Sequence, residues 1–353
     1  MDTNGSKQTR ILLIYTGGTI GMIEDAETHS LKPFDFSHLI DNVPKLKMLN
    51  YEIDNIQFFP PIDSSDMAPK HWSQIADAIA EKYDNYDGFV VLHGTDTMAY
   101  TASALSFMLE NLAKPVIITG SQLPIGEVRT DGEENLITAI QIAAATRHDG
   151  SPMVREVAIL FENYLWRGNR SIKKSADNFN AFKSYNYPAL ARIGLGIHYE
   201  EDALLHVMPD GPLIAHTRLD SNIGVVHLFP GLSIESLRYQ LSQPGIKGVV
   251  LLTYGAGNTP LDKEFHDTLC DATERGIVLV NVTQCVSGAV MKRYEAASSL
   301  QADGVVACSD ITPEAAITKM MYLFGQGLDA RSVREAMALP LRGELSIDPA
   351  PSF

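Results

Sequence analysis

Short apolar runs alternate along this chain with stretches whose apolar residues recur every three or four positions. Ile11 to Tyr15, Phe89 to Leu92, Val116 to Thr119 and Val157 to Phe161 are rich in Val, Ile and Leu, which predicts buried strands. Between them Trp72, Ile75, Ala76 and Ile79 follow Pro69 at helical spacing, and Ala99 to Leu112 and Asn135 to Thr146 read as further helices. Strand and helix in alternation are the signature of parallel βαβ units. From about Asn186 to Asp220 the pattern loosens into sequence punctuated by Pro188, Gly194, Gly196, Pro209, Gly211 and Pro212, which reads as a linker. A second series follows, with strands near Gly224 to Leu228, Val249 to Tyr254, Ile277 to Val282 and Val305 to Ala307. Its helical patterns fall at Ser233 to Leu241, Lys263 to Arg275 and Pro313 to Gly325.

With 353 residues the chain exceeds one ordinary core, so the pattern resolves into two α/β domains. The expected boundaries are 1–190 for a larger N-terminal parallel-sheet domain, 191–220 for a linker and 221–353 for a smaller C-terminal α/β domain. Twenty-eight basic against 43 acidic residues give a net charge of -15, which argues against nucleic acid or an anionic membrane surface as partner. Met1 to Arg10 is polar and the apolar run after it is too short for a signal-peptide core. Three cysteines, at 270, 285 and 308, cannot all pair within one chain, so a reducing cytoplasm is the expected location. No H-x-x-x-H, C-x-x-C or EF-hand spacing occurs, and neither a metal nor an organic cofactor is expected.

Ligands of open parallel sheets bind outside the carboxyl ends of the strands. The first strand runs into Thr16-Gly17-Gly18-Thr19-Ile20-Gly21, the second into His93-Gly94-Thr95-Asp96-Thr97 and the third into Gly120-Ser121-Gln122. Asp63-Ser64-Ser65-Asp66 lies between the first two. The glycines suggest a phosphate loop, but neither G-x-G-x-x-G nor G-x-x-x-x-G-K-[ST] is present. Each residue alone has a structural explanation. Thr19, Thr95 and Asp96 suit helix caps. Lys173 shares a basic run with Arg167, Arg170 and Lys174 that reads as a solvated face. His93 reads as a satisfied structural histidine, and Cys285, with no histidine motif nearby, as a buried free thiol.

The ordered set Thr16–Gly21, Asp63-Ser64-Ser65-Asp66-Met67, His93-Gly94-Thr95-Asp96-Thr97-Met98 and Arg167-Gly168-Asn169-Arg170-Ser171-Ile172-Lys173 resembles the bacterial-type L-asparaginases. The likeness continues through Tyr254-Gly255-Ala256-Gly257-Asn258 and Asn281-Val282-Thr283-Gln284-Cys285, and points to the cytoplasmic type I branch. It implies hydrolysis of L-asparagine through an acyl-threonine intermediate, with Thr19 as the first threonine and Thr95, Asp96 and Lys173 forming the second site; spacing leaves open which threonine attacks first, and Thr19 is the chosen candidate. A lysine beside a threonine is a recognised way of activating the hydroxyl, and Arg167 and Arg170 are candidate neighbouring cations for Lys173. Asp96 suits the substrate's α-ammonium, Ser64, Ser65 and backbone N–H groups suit its α-carboxylate, and Asp63 is a further candidate substrate-binding residue. Asn258 matches a position that reaches into a neighbouring subunit, so a homodimer or homotetramer is implied. Ile20 to Asn50 holds no tyrosine to activate Thr19, and Tyr294 is the candidate substitute. An effector site near Thr253, Thr283 and Cys285 is also implied, with Thr253 standing where relatives place a carboxylate-binding arginine. Hyperbolic kinetics are therefore expected. The competing readings are a non-catalytic amino-acid sensor and the asparaginase-like subunit of a tRNA-dependent amidotransferase.

Overall fold

In the computed structural model, which describes residues 8–24, 31–33, 43–206, 209–290 and 295–347, the apolar runs assemble into parallel sheets. Arg10–Tyr15 (β1), Glu52–Gln57 (β2), Gly88–Leu92 (β3), Val116–Thr119 (β4) and Val157–Phe161 (β5) run parallel. Tyr164–Arg167 (β6), Ala191–Ile193 (β7) and Ile197–Tyr199 (β8) continue the sheet antiparallel, giving eight strands in the order β8-β7-β6-β5-β4-β3-β1-β2. Every side chain of β3, β4 and β5 is buried, which is why these strands read as continuous apolar runs without alternation.

Helix Pro69–Lys82 (α1) buries Trp72, Ile75, Ala76 and Ile79, the four positions whose spacing predicts it. Met98–Met108 (α2) is buried almost all round, and Gly132–Ala144 (α3) packs on the same sheet. α2 stops short of the expected Leu112 because Leu109–Glu110 turns into a two-residue strand paired with Ile214–Ala215. The expected linker, 191–220, carries β7, β8 and this short strand. Its glycines mark tight turns between antiparallel strands, such as the Gly194 to Gly196 hydrogen bond of 3.0 Å.

Residues Met1–Ser184 with Pro188–Thr217 form one compact unit, and Tyr185–Tyr187 with Arg218–Phe353 form the other. The second unit holds four parallel strands, Ile223–His227 (β9), Gly248–Thr253 (β10), Val278–Thr283 (β11) and Val306–Ala307 (β12), in that order. Ile234–Leu241 (α4) and Lys263–Glu274 (α5) bury Leu237, Leu241, Phe265 and Leu269 against Val249, Leu251 and Leu279. Helices Glu295–Ala302 (α6), Pro313–Gly325 (α7) and Ala330–Met337 (α8) complete the unit. A fully buried ion pair, Lys319 to Glu344 at 2.6 Å, fastens the segment after α8 to α7.

The order of the large sheet places the functional crevice. β1 lies between β2 and β3, so the chain leaves β1 to one side and later returns to the other. The carboxyl ends of β1 and β3 therefore flank a topological switch point, where the connecting loops part. Among the described residues no helix is long and apolar enough to cross a membrane.

Candidate active site

β1 ends at Tyr15, and Thr16 sews it to β3: its N–H and its Oγ1 donate to the Leu92 carbonyl at 3.0 and 2.9 Å. Gly17 and Gly18 follow at φ 139 and 90. A Cβ on Gly17 would lie 2.1 Å from the Ile62 carbonyl oxygen, and one on Gly18 would lie 2.4 Å from the Gly94 nitrogen. Close approach of three loops thus explains these glycines, with no phosphate required. Thr19 comes next, half-buried, at the start of a single 3-10 turn.

Beyond β3, His93 is fully buried. Its Nδ1 lies 2.6 Å from the Gly94 carbonyl and its Nε2 2.8 Å from Thr101 Oγ1. A carbonyl can only accept, so the proton is assigned to Nδ1, and Nε2 accepts from Thr101, which in turn accepts from Trp72 Nε1 at 2.9 Å. Burial pushes the ring down to about 4. It stays neutral near pH 7 and braces the peptide ahead of Thr95 as a structural histidine.

Gly94 meets the next loop closely, since a Cβ there would lie 2.5 Å from Ser64 Oγ. Thr97 Oγ1 donates to the Ser64 carbonyl at 2.6 Å. Asp63 caps the short turn Ser64–Asp66, accepting from the N–H and the hydroxyl of Ser65 at 2.9 and 2.8 Å. These bonds hold its carboxyl below the ordinary carboxylate range, the backbone bond contributing most. Asp63 and Ser65 are exposed and Ser64 is buried beneath them.

Lys173 Nζ donates to Thr95 Oγ1 at 2.8 Å and to Asp96 Oδ1 at 2.6 Å. The lysine side chain is only 18% exposed, against 63% for Asp96. Lys173 is held by pairing with the buried Phe182 and by Ser171, whose Oγ donates to the Arg167 carbonyl at 2.7 Å. The reading of Lys173 as part of a solvated face therefore fails. Asp96 is no cap either, because α2 begins at Met98 with Thr97 in the cap position and no side-chain cap bond. Arg167, a candidate neighbouring cation, is engaged elsewhere: its Nε donates to the buried Glu156 at 2.7 Å and another guanidinium N–H to the Ala203 carbonyl at 2.8 Å.

Gln122 is a residue to which sequence reasoning gives no role. Asp131 fixes its backbone N–H, its Nε2 donates to the Asn178 carbonyl at 3.0 Å, and its Oε1 faces Thr95 Oγ1 at 3.4 Å. Its position at the end of the third strand was the available signal. The structure thus gathers Thr95, Asp96 and Lys173, and sets the Thr16–Thr19 and Asp63–Ser65 loops against them. Asn258, Thr253, Thr283 and Cys285 belong to the second unit. Cys285 is exposed, correcting the expectation of a buried thiol, because the chain leaves the sheet after Thr283. Tyr294 lies outside the described residues. Among those described, no cluster of metal-binding side chains occurs.

Residues 10–205 match the asparaginase N-terminal domain, and residues 222–337 match the glutaminase/asparaginase C-terminal domain. The chain belongs to the asparaginase family. Within this family it is 45% identical over 346 residues to L-asparaginase 1 of Escherichia coli strain K12, covering 96% of this chain and 98% of that one. The crystal structure of L-asparaginase I from Vibrio cholerae O1 biovar eltor superposes with a TM-score of 0.88 at 42% identity, covering 96% of this chain and 99% of that one. A 60 kDa lysophospholipase of Mus musculus is 38% identical over 366 residues, covering 96% of this chain but 63% of that protein. The similarity to L-asparaginase 1 and I agrees with the type I resemblance of the sequence.

Proposed function

We propose that this asparaginase-family enzyme hydrolyses the side-chain amide of L-asparagine to L-aspartate and ammonia through an acyl-threonine intermediate. The observation that carries the reading is the Thr95–Lys173–Asp96 hydrogen-bonded set beside the switch point, 77 and 78 residues apart in sequence yet within 2.6 and 2.8 Å. A binding-only sensor has no need of a lysine on a threonine hydroxyl.

In this reading the Thr19 hydroxyl attacks the amide carbon, forming the ester bond as the C–N bond breaks. Its proton leaves with the amide nitrogen as ammonia. Water, deprotonated through Thr95 and Lys173, then attacks the ester, returning the hydroxyl to Thr19 and releasing aspartate. Backbone N–H groups of the glycine-packed loops face the developing oxyanion. Asp96, exposed beside Lys173, takes the substrate's α-ammonium; two cations then share one carboxylate, which favours proton transfer away from Lys173. Asp63 braces the Ser64–Asp66 turn, and Ser65 with the N–H groups of that turn orients the α-carboxylate end. Asn258 completes the site of a neighbouring subunit, so the active form is a homo-oligomer, and the type I likeness implies a cytoplasmic one. Asparagine and glutamine differ by one methylene, worth about 1 to 3 kcal/mol in a pocket. Ammonia release measured with each amide decides the activity: turnover of asparagine is expected, and ammonia from neither would defeat the proposal.

A further inference from the structure

Asn258 closes a tight turn that leaves the end of β10. The Tyr254 and Asn258 backbones bond each other, N–H to carbonyl, at 3.0 and 2.7 Å, and Gly255 and Gly257 take φ 49 and 101 to make the turn. Two left-handed glycines give such a segment many alternative conformations, so something outside it must select one.

Side chains at the end of the sheet do this. Asn281, buried on β11, accepts from Thr253 Oγ1 at 2.6 Å and donates through Nδ2 to the Gly257 carbonyl at 3.0 Å. That carbonyl can only accept, so the amide orientation is fixed and both its ends are engaged. Thr283 Oγ1 donates to the Gly255 carbonyl at 2.5 Å while accepting from the Cys285 N–H at 3.0 Å. Gln284 Nε2 ties the Leu228 and Leu252 carbonyls at 2.6 and 2.7 Å, joining the ends of β9 and β10. Gly257 has no room for another residue, since a Cβ there would meet Val290 Cγ1 at 2.7 Å.

We infer that Asn281, with Thr253 and Thr283, is a positioning device that holds the Tyr254–Asn258 turn in the one shape that presents Asn258, and that these groups are not free to ligate an effector. The inference rests on the proposed substrate role of Asn258, although the clamp itself does not. A plain strand-end explanation accounts for one satisfied carbonyl, whereas here the carbonyls of both glycines are held by buried side chains from the neighbouring strand.

The test combines hydrogen exchange of the intact protein with asparagine kinetics, on Asn281→Asp, Thr253→Val and Thr283→Val. Asn281→Asp keeps the shape but turns a carboxylate oxygen toward the Gly257 carbonyl. Faster exchange of the Gly257 and Asn258 amides is expected in all three variants. For Asn281→Asp, KM should rise about tenfold with kcat within about twofold, the pattern of lost uniform binding. Thr253→Ser should restore both readouts, and no variant should alter the shape of the saturation curve. Unchanged exchange at 257 and 258 would overturn the clamp. So would a sigmoidal wild-type curve made hyperbolic by Thr283→Val, which would return Thr283 to an effector site. Should the wild type release no ammonia from asparagine, the activity proposal fails and the exchange data still decide the clamp.

Discussion

Both units end their parallel strands in hydroxyl and amide side chains, yet the two edges treat them in opposite ways. At the β1–β3 edge, Thr95, Lys173 and Asp96 bond to one another and stay within reach of solvent. Glycines and the backbone-directed hydroxyls of Thr16 and Thr97 hold the loops together there. At the β10–β11 edge, Thr253 passes its bond through Asn281 to a backbone carbonyl, and Thr283 and Gln284 bond carbonyls directly. Side chains that bond side chains at an open crevice keep protons that can move. Side chains that bond carbonyls fix a shape. The first edge carries chemistry, and the second presents one residue, Asn258.

Breaking the first edge should have the largest effect. Thr19→Ala and Thr95→Ala should each lower kcat on the order of a thousandfold or more, since a nucleophile and its activating partner act as a unit. Lys173→Met should lower kcat by roughly 10² to 10⁴ with little change in KM, the range of a lost general base. Steady-state ammonia assays check both. Near-normal turnover in either threonine variant removes that residue from the mechanism, and a selective rise in KM for Lys173→Met makes it a binding residue.

Acidity separates the two units in stability. His93, in the first, is held neutral at about 4 against an ordinary 6.5 by burial. Its contribution is present above 6.5 and is lost as pH falls toward 4, on the order of 3 kcal/mol. Glu314, in the second, is raised from 4.5 to about 7 by burial, and its Oε2 has no hydrogen-bond partner among the described residues. Its contribution is present below 4.5 and is lost as pH rises through 7, by a similar order. Glu314→Gln should therefore raise the melting temperature at pH 8 and leave it nearly unchanged at pH 5. An equal gain at both values would show that ionisation of Glu314 is not the cause.

Strands buried on both faces announced themselves as apolar runs, and Val116–Thr119, Val157–Phe161 and helix Pro313–Gly325 have the boundaries their patterns predict. β2, with the sequence EIDNIQ, did not, because an edge strand with half-exposed side chains needs no apolar run. The loops of the first edge were legible because their chemistry is written in residue types at the ends of predicted strands. Gln122 and Asn281 were not, because each acts through distant partners, backbone carbonyls among them, and such bonds leave no periodic trace. Arg167 shows the converse: sequence put it near Lys173, and the fold pairs it with Glu156.

In the proposed mechanism a threonine of the first edge carries the acyl group. Rapid acid quench of the wild-type enzyme turning over asparagine, followed by peptide mass mapping, tests this most directly. An aspartyl ester is expected on the peptide containing Thr19. An ester on Thr95 would reverse the roles of the two threonines, and steady turnover with no ester on either would contradict the mechanism.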